Sequence, residues 1–420
     1  MIDKNIQQIP SDWKIATLGE VLGKKGYIRG PFGSSLKRNE LRSEGIPVYE
    51  QQNAIYDHRD FRFFIDGEKH KELSRFTVKE NDLIVSCSGT LGKVSLIKNT
   101  DLIGIISQAL LILRSDIAKI LPKYLYYFLI SPEGYNSLLS RSTGSVQVNL
   151  ANRNIIESIE LDLPSLPEQR AIASVLSAFD DKIELLREQN KTLSAIAQTL
   201  FNRWFVEFNF PDENGQPYRD SGGKMIDSEL GEIPEGWRVG KLEEIVDIYD
   251  SKRIPLSGKQ RAVRKGQYPY YGATEVMDYI DDYLFEGIYL LLAEDGSVID
   301  EKGFPVLQYV FGQFWVNNHA HVIQGKQDIS TEYLYLLFKQ TPVSGIITGA
   351  VQLKINQGNL LSLEVTIPEK QTLKIFNNLM DSFFSKIRAN IIQIQTLSQL
   401  RDTLLPKLMC GKVRVKGFSD

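Results

Sequence analysis

Two stretches of the chain carry apolar residues at alternating four- and three-residue steps, and this pattern limits the folds open to it. The first runs Ile172, Leu176, Phe179, Ile183, Leu186, then Leu193, Ala197, Leu200 and Trp204, with Asn190 in the skipped slot. The second places Phe376, Met380, Phe383, Ile387, Asn390, Ile394, Leu397, Arg401, Leu404 and Leu408 in the same slots, each 204 residues on (376 − 172, 408 − 204). A period of 3.5 held over roughly five heptads predicts two long helices with a coiled-coil seam. Proline stands just ahead of each start, and Glu168 and Glu369 fall where the helix dipole favours negative charge. Helices of about 40 residues would be about 60 Å long. Such a stripe must be covered, either by the globular parts or by the other helix. The favoured reading is that the two helices pair antiparallel with globular domains at opposite ends, related by a pseudo-two-fold axis. Asn190 and Asn390 would then set the register at some cost in stability.

The rest of the chain repeats as well. Ile9-Pro10-Ser11-Asp12-Trp13 with Leu18-Gly19-Glu20-Val21 returns as Ile233-Pro234-Glu235-Gly236-Trp237 with Leu242-Glu243-Glu244-Ile245. Gly45-Ile46-Pro47-Val48-Tyr49 is echoed by Gly266 to Tyr271, Tyr124 to Phe128 by Tyr333 to Leu337, Thr143 to Gln147 by Thr348 to Gln352, and Leu161 to Pro164 by Val365 to Pro368. The matches are collinear, so the chain is an internal duplication. Residues 1–164 and 229–367 are expected as two globular α/β (α+β) domains, and 165–208 and 368–412 as their helices. Residues 209–228, rich in Pro, Gly, Asp and Asn, read as a surface linker, and 413–420 as a tail.

Composition excludes several classes. No run of about 18 apolar residues is present, so no membrane helix is expected. Cys87 and Cys410 stand far apart outside any Cys/His cluster, which argues against structural zinc and disulfide scaffolding and for a reducing cytoplasm. There is no dinucleotide or phosphate-loop glycine motif and no nucleophile elbow. His319-Ala320-His321 is two nearby imidazoles without a third ligand, so no metal site is expected. A net charge of −3 over 420 residues weighs mildly against nucleic acid, although local clustering can still build a basic face.

Basic residues do cluster. The first repeat has Lys24, Lys25, Arg29, Lys37 and Arg38 after its tryptophan, and the second has Lys252, Arg253, Lys259, Arg261, Arg264 and Lys265 in the corresponding stretch. Gly30, Pro31, Gly33, Pro255 and Gly258 mark both stretches as exposed loops, placed to meet phosphates. Gln51, Asn53, Thr274 and His319 are candidate readers of base edges.

These residues resemble a known family. The opening Ile-Pro-x-x-Trp with Leu-Gly-Glu-Val, the phrase Leu166-Pro167-Glu168-Gln169-Arg170-Ala171-Ile172-Ala173, the stretch Gly312 to Val322, and the ending Leu404-Leu405-Pro406-Lys407-Leu408-Met409-Cys410-Gly411-Lys412-Val413 are similar to the specificity (S) subunit of Type I restriction-modification systems. The second helix departs from the pattern, opening Pro368-Glu369-Lys370-Gln371 without Arg-Ala-Ile-Ala. The resemblance implies two target-recognition domains, each reading half of a split, asymmetric double-stranded DNA target. It implies that the paired helices space them and dock two methyltransferase subunits, which restriction (translocase) subunits then join. It also implies no catalysis and no cofactor in this chain: S-adenosylmethionine, ATP and magnesium would belong to the partners. The alternatives are a coiled-coil scaffold binding only proteins, and a DNA-binding module of a related methyltransferase or phage-defence system.

Overall fold

The computed structural model describes residues 10–32, 35–140, 142–143, 149–150, 152–349 and 352–415. Ile9, Gly33, part of the Thr143–Gln147 and Thr348–Gln352 match, and residues 416–420 of the expected tail lie outside them. No helix among the described residues is long and apolar enough to cross a membrane. The chain divides into two compact units, residues 1–184 with 394–420 and residues 185–393. The expected boundaries set each long helix apart as a segment of its own. The units instead divide within both helices, because the ends of the helices are built into globular cores.

In the first unit, strand Lys14–Thr17 pairs antiparallel with Glu160–Leu163, Lys14 opposite Leu163. A four-stranded antiparallel sheet follows in the order Leu22–Arg29, Leu110–Ser115, Leu83–Ser86, Val94–Leu96, and Ile46–Tyr49 runs parallel to Ile105–Ile106. The second unit repeats the plan. Arg238–Lys241 pairs with Glu364–Ile367, Arg238 opposite Ile367. Val246–Ile248, Ala320–Gly325, Phe285–Ala293 and Leu307–Val316 continue into Lys265–Tyr271 and Val276–Ile280, and Tyr270 and Tyr271 run parallel to Trp315 and Val316. The aromatic helices Pro122–Ile130 and Thr331–Phe338 occupy matching places. Sheets with mixed pairing and short flanking helices make each unit α+β.

The long helices span Leu166–Phe201 and Lys370–Met409. A π turn at Asn202–Val206 carries the first as far as Trp204 and Phe205. Ile172, Leu176, Ile183, Leu186, Trp204, Phe376, Met380, Ile387, Asn390 and Leu408 are buried, while Phe179, Asn190, Leu193, Leu200, Phe383, Ile394, Leu397 and Leu404 are half-buried. The stripe is wider than the heptad slots, since Ala173, Phe201, Leu373, Phe384, Leu405 and Met409 are buried too. These extra positions face the cores. Ile172, Leu176, Leu405 and Leu408 belong to the first unit's core, and Phe201, Trp204, Phe376 and Met380 to the second's.

The helices also touch each other. In the second unit the Asn390 amide donates to Asn190 Oδ1 at 2.9 Å, and the Trp204 and Phe376 rings lie 5.4 Å apart. Numbers rise along one helix as they fall along the other, so the contact is antiparallel there. In the first unit Arg401 Nη1 donates to Asp180 Oδ1 at 2.7 Å, and the Tyr127 hydroxyl donates to Asp180 Oδ2 at 2.6 Å. Arg401, an oddity among the apolar slots, therefore has a fixed partner.

The Leu-Pro-Glu-Gln phrase has a structural reason. Gln169 is fully buried, accepts from the Leu121 amide at 2.8 Å, and donates to the Lys119 and Pro164 carbonyls at 3.0 Å. Glu168 accepts from the Trp13 indole at 3.0 Å and from Arg414, whose guanidinium also forks onto Asp12 and lies over the Trp13 ring. The slots 204 residues away use a different chemistry. Thr372 and Leu373 stand where Glu168 and Gln169 do, and Phe210 stacks on Trp237 at 5.0 Å where Arg414 covers Trp13. An aromatic stack thus stands in the second repeat where the first has the charged clasp. Phe210 is a buried position in an otherwise exposed or half-buried linker. It is buried between Tyr218 and Trp237, since an aromatic ring gains more from burial than a short surface turn would leave it.

Asn390 is wholly buried, and its Oδ1 has no hydrogen-bond partner among the described residues. A buried amide left without a partner costs about 1–3 kcal/mol, whereas replacing both partners by apolar groups is near neutral or stabilising. Asn190→Leu alone should therefore lower the calorimetric unfolding temperature, and Asn190→Leu with Asn390→Leu should return it to the wild-type value or above. A double variant less stable than the single one would show that the pair stabilises the helix contact.

Candidate nucleic-acid interface

The cations expected on exposed loops fall into two groups. In the second repeat most are held by acids. Arg253 is 13% exposed, pairs with Glu294 at 2.8 Å, and donates to the Ala320 carbonyl at 2.7 Å. Arg261 donates to the Leu256 carbonyl at 2.6 Å, lies 3.5 Å from Asp278, and stacks over Tyr270. Arg264 pairs with Asp281 at 2.9 Å over the Trp315 ring, and Lys265 reaches Asp278 at 2.6 Å. Lys252, over the Tyr249 ring, and Lys259 are exposed and have no acidic partner among the described residues. The loop reading holds only in part, because Lys259 and Arg261 lie on the short helix Gly258–Val263 and Lys265 begins a strand.

In the first repeat the expected cations Lys24, Lys25, Arg29, Lys37 and Arg38 have no ion pair among the described residues. Lys24 and Lys25 are exposed on strand Leu22–Arg29 rather than on a loop. With Arg75, Lys79, Arg114 and Arg153 they line a cavity of about 600 Å³ that has no acidic residue in its lining among the described residues. Arg114 is held by Asp82, with both contacts at 2.7 Å, and Arg153 by Glu157 at 2.7 Å. Lys24, Lys25, Arg75 and Lys79 have no ion pair among the described residues. Arg29 is half-buried near Phe32, its Nε without a hydrogen-bond partner among the described residues. Lys37 and Arg38 are exposed around a short 3-10 turn. Sequence reading missed Arg75, Lys79, Arg114 and Arg153. They are scattered over nearly 80 positions on a strand, a loop, a 3-10 turn and a short helix, and only the folded unit brings them beside Lys24.

The expected base readers divide likewise. Asn53 is fully buried, accepts from the Glu50 amide at 2.7 Å, and donates to the His58 and Asp60 carbonyls at 3.1 Å. Gln51 donates to the Ser88 and Thr90 carbonyls. The Asn53 amide is thus spent within the fold at both its oxygen and its nitrogen, and the Gln51 nitrogen on the Ser88 and Thr90 carbonyls. Thr274 is exposed in the turn before Val276–Ile280, and His319 is 48% exposed with Nδ1 2.8 Å from Asp295.

His321 sits in a charge network. Its Nδ1 is 2.5 Å from Asp250 and its Nε2 2.8 Å from the Ile355 carbonyl, and Glu294 bridges to Arg253 and Lys354. Asp250, Glu294 and His321 could bring ligand atoms within 4.8 Å of one another. However, both imidazole nitrogens already face acceptors, and Arg253 and Lys354 balance the carboxylates. The geometry therefore suits an imidazolium better than a metal ligand. Burial opposes that charge, but the Asp250 hydrogen bond and charge, the Ile355 carbonyl and Glu294 together raise the His321 pKa above its ordinary 6.5. A folded-state pKa above the unfolded one stabilises fully below pH 6.5 and is lost as pH rises through the folded value. The unfolding temperature of the wild-type chain should accordingly fall as pH rises above about 6.5, and His321→Gln should flatten that fall. The same pH dependence in both proteins would remove His321 from the network's energetics.

Residues 10–195 and 234–398 match the family model described as the Type I restriction modification DNA specificity domain. The Type I restriction enzyme MjaIX specificity subunit of Methanocaldococcus jannaschii is 28% identical, over 99% of this chain and 96% of its own length. The Type I restriction enzyme HindI specificity subunit of Haemophilus influenzae is 22% identical over 74% of this chain and 81% of its own. The crystal structure of a Type I restriction-modification system S subunit from M. genitalium shares the fold, with a TM-score of 0.59 at 16% identity over 97% of this chain and 98% of that one. Two copies of one family domain, each running into a long helix, account for the duplication, and the chain belongs to the Type I restriction-modification DNA specificity family.

Proposed function

We propose that this chain is the non-catalytic, sequence-reading subunit of a Type I restriction-modification complex in the cytoplasm. The observation that carries this is the double match to the DNA specificity domain, with a long helix behind each copy. Each domain reads one half of a bipartite double-stranded DNA target. The two domains differ in sequence and in charge arrangement, so the half-sites differ and the target is asymmetric. The long helices form a coiled coil that sets the half-site separation, on the scale of one DNA turn, roughly 34–36 Å, and dock two methyltransferase subunits. Restriction subunits join that core. The chain holds no cofactor, and S-adenosylmethionine, ATP and magnesium act in the partners. The titratable groups brought together here are ion pairs and helix clasps, which supports a binding role.

Methylome sequencing of cells expressing the chain with its cognate methyltransferase should reveal methylated adenines in a split, asymmetric motif. Absence of any new modified motif, with the complex assembled, would overturn the reading. The spacer role has a separate test. Four residues inserted between Leu186 and Leu193 should shift the gap between the two halves of the motif or abolish modification, and an unchanged gap would rule out the helix as a ruler.

A further inference from the structure

Strand Leu22–Arg29 pairs with Leu110–Ser115, but its register breaks. Leu22 faces Ser115, and the next pair is Tyr27 with Leu113. Gly23-Lys24-Lys25-Gly26 therefore stands opposite the single residue Arg114. A bulge of this kind throws side chains out of the ladder and re-aims them. Glycine makes it possible: a Cβ on Gly26 would lie 2.4 Å from the Arg114 carbonyl oxygen. The corresponding strand of the second repeat has no such break. Val246, Asp247 and Ile248 face Gly325, Gln324 and Ile323 in step. One aspartate occupies the place of four residues that include two lysines.

The bulge opens on the cavity, where Lys24 and Lys25 meet Arg75 and Lys79. Four cations around one concavity, with no acid in its lining, raise one another's energy, and a polyanion relieves that repulsion. The cavity offers no stacking platform for a base, because Tyr27, the aromatic residue in its lining, is buried with the Arg153 guanidinium over its ring. Cations without an exposed aromatic suit phosphates rather than bases.

We infer that the Gly23–Gly26 bulge, with Arg75 and Lys79, is a grip for the DNA phosphate backbone with no counterpart at the matching strand of the second repeat. The two recognition domains then divide the work. The first supplies most of the sequence-independent electrostatic attraction. The second, with its arginines held by Asp278, Asp281 and Glu294 and only Lys252 and Lys259 of its cluster left without an acidic partner among the described residues, supplies less of it. This rests on the reading that the chain binds duplex DNA.

The test uses the full chain assembled with its methyltransferase partners and a labelled 40-base-pair duplex of random sequence, titrated across a salt series. Each phosphate contact contributes about 0.9 to the slope of log K against log salt. Lys24→Ala with Lys25→Ala should flatten the slope by about 1–2, and adding Arg75→Ala and Lys79→Ala should bring the change to about 3. Arg261→Ala with Arg264→Ala should change it by less than one contact's worth, about 0.9. An unchanged slope in the fourfold variant, beside a wild-type complex that binds the duplex, overturns the grip but leaves the proposed function standing. An equal loss in the Arg261/Arg264 variant overturns the division of work. Loss of the methyltransferase from the fourfold variant on size-exclusion chromatography assigns the cavity to an acidic protein surface and also overturns the grip. A wild-type complex that binds no duplex at any salt overturns the underlying function instead.

Discussion

Everything in this molecule depends on covering the apolar stripes of the two long helices. A helix of 36 residues with a one-sided apolar face is not stable alone in water, and its stability comes from what that face packs against. Here the cover is shared. Mid-helix positions meet the other helix, and positions near the ends enter a globular core. Burying a ring such as Phe376, which contacts Trp204 and Phe205, stabilises by about 2–3 kcal/mol. This is why the compact units divide within the helices rather than at their ends.

The same constraint explains the closing contacts of each unit. The residues after each helix fold back onto the tryptophan that opens a repeat: Arg414 onto Trp13 in one unit, and Phe210 onto Trp237 in the other. One contact is a charged clasp with Asp12 and Glu168, and the other is an aromatic stack. The two chemistries solve one packing problem, so the sequences at these slots could drift while the geometry stayed. The buried Asn190–Asn390 contact sits amid this apolar packing as a specific pairing. A polar pair penalises slippage more than leucines would, at some loss of stability.

The repeats differ most in charge. Counting basic residues along the chain gives two comparable clusters, yet the folded units treat them differently. Asp278 and Asp281 come from the strand Val276–Ile280 and the turn after it, and both face cations of the preceding segment. Among the described residues no acid lines the Lys24 cavity. A formal net charge of −3 for the whole chain therefore conceals a strongly cationic concavity in one repeat and a largely compensated surface in the other.

The sequence by itself determined the duplication, the two long helices, their apolar slots and the asparagine pair. All of these are periodic or collinear signals, and helical geometry converts spacing into a face. Only the tertiary structure decided which polar groups are free. Asn53 reads as a recognition residue until its amide is found closing a turn, and Arg264 reads as a phosphate ligand until Asp281 is placed beside it. The Lys24 cavity joins residues from position 24 to position 153, and no local pattern encodes that meeting. Hydrogen bonds and ion pairs are made between side chains that the sheet register brings together. Their partners are therefore properties of the fold, while the faces of the helices are properties of the chain.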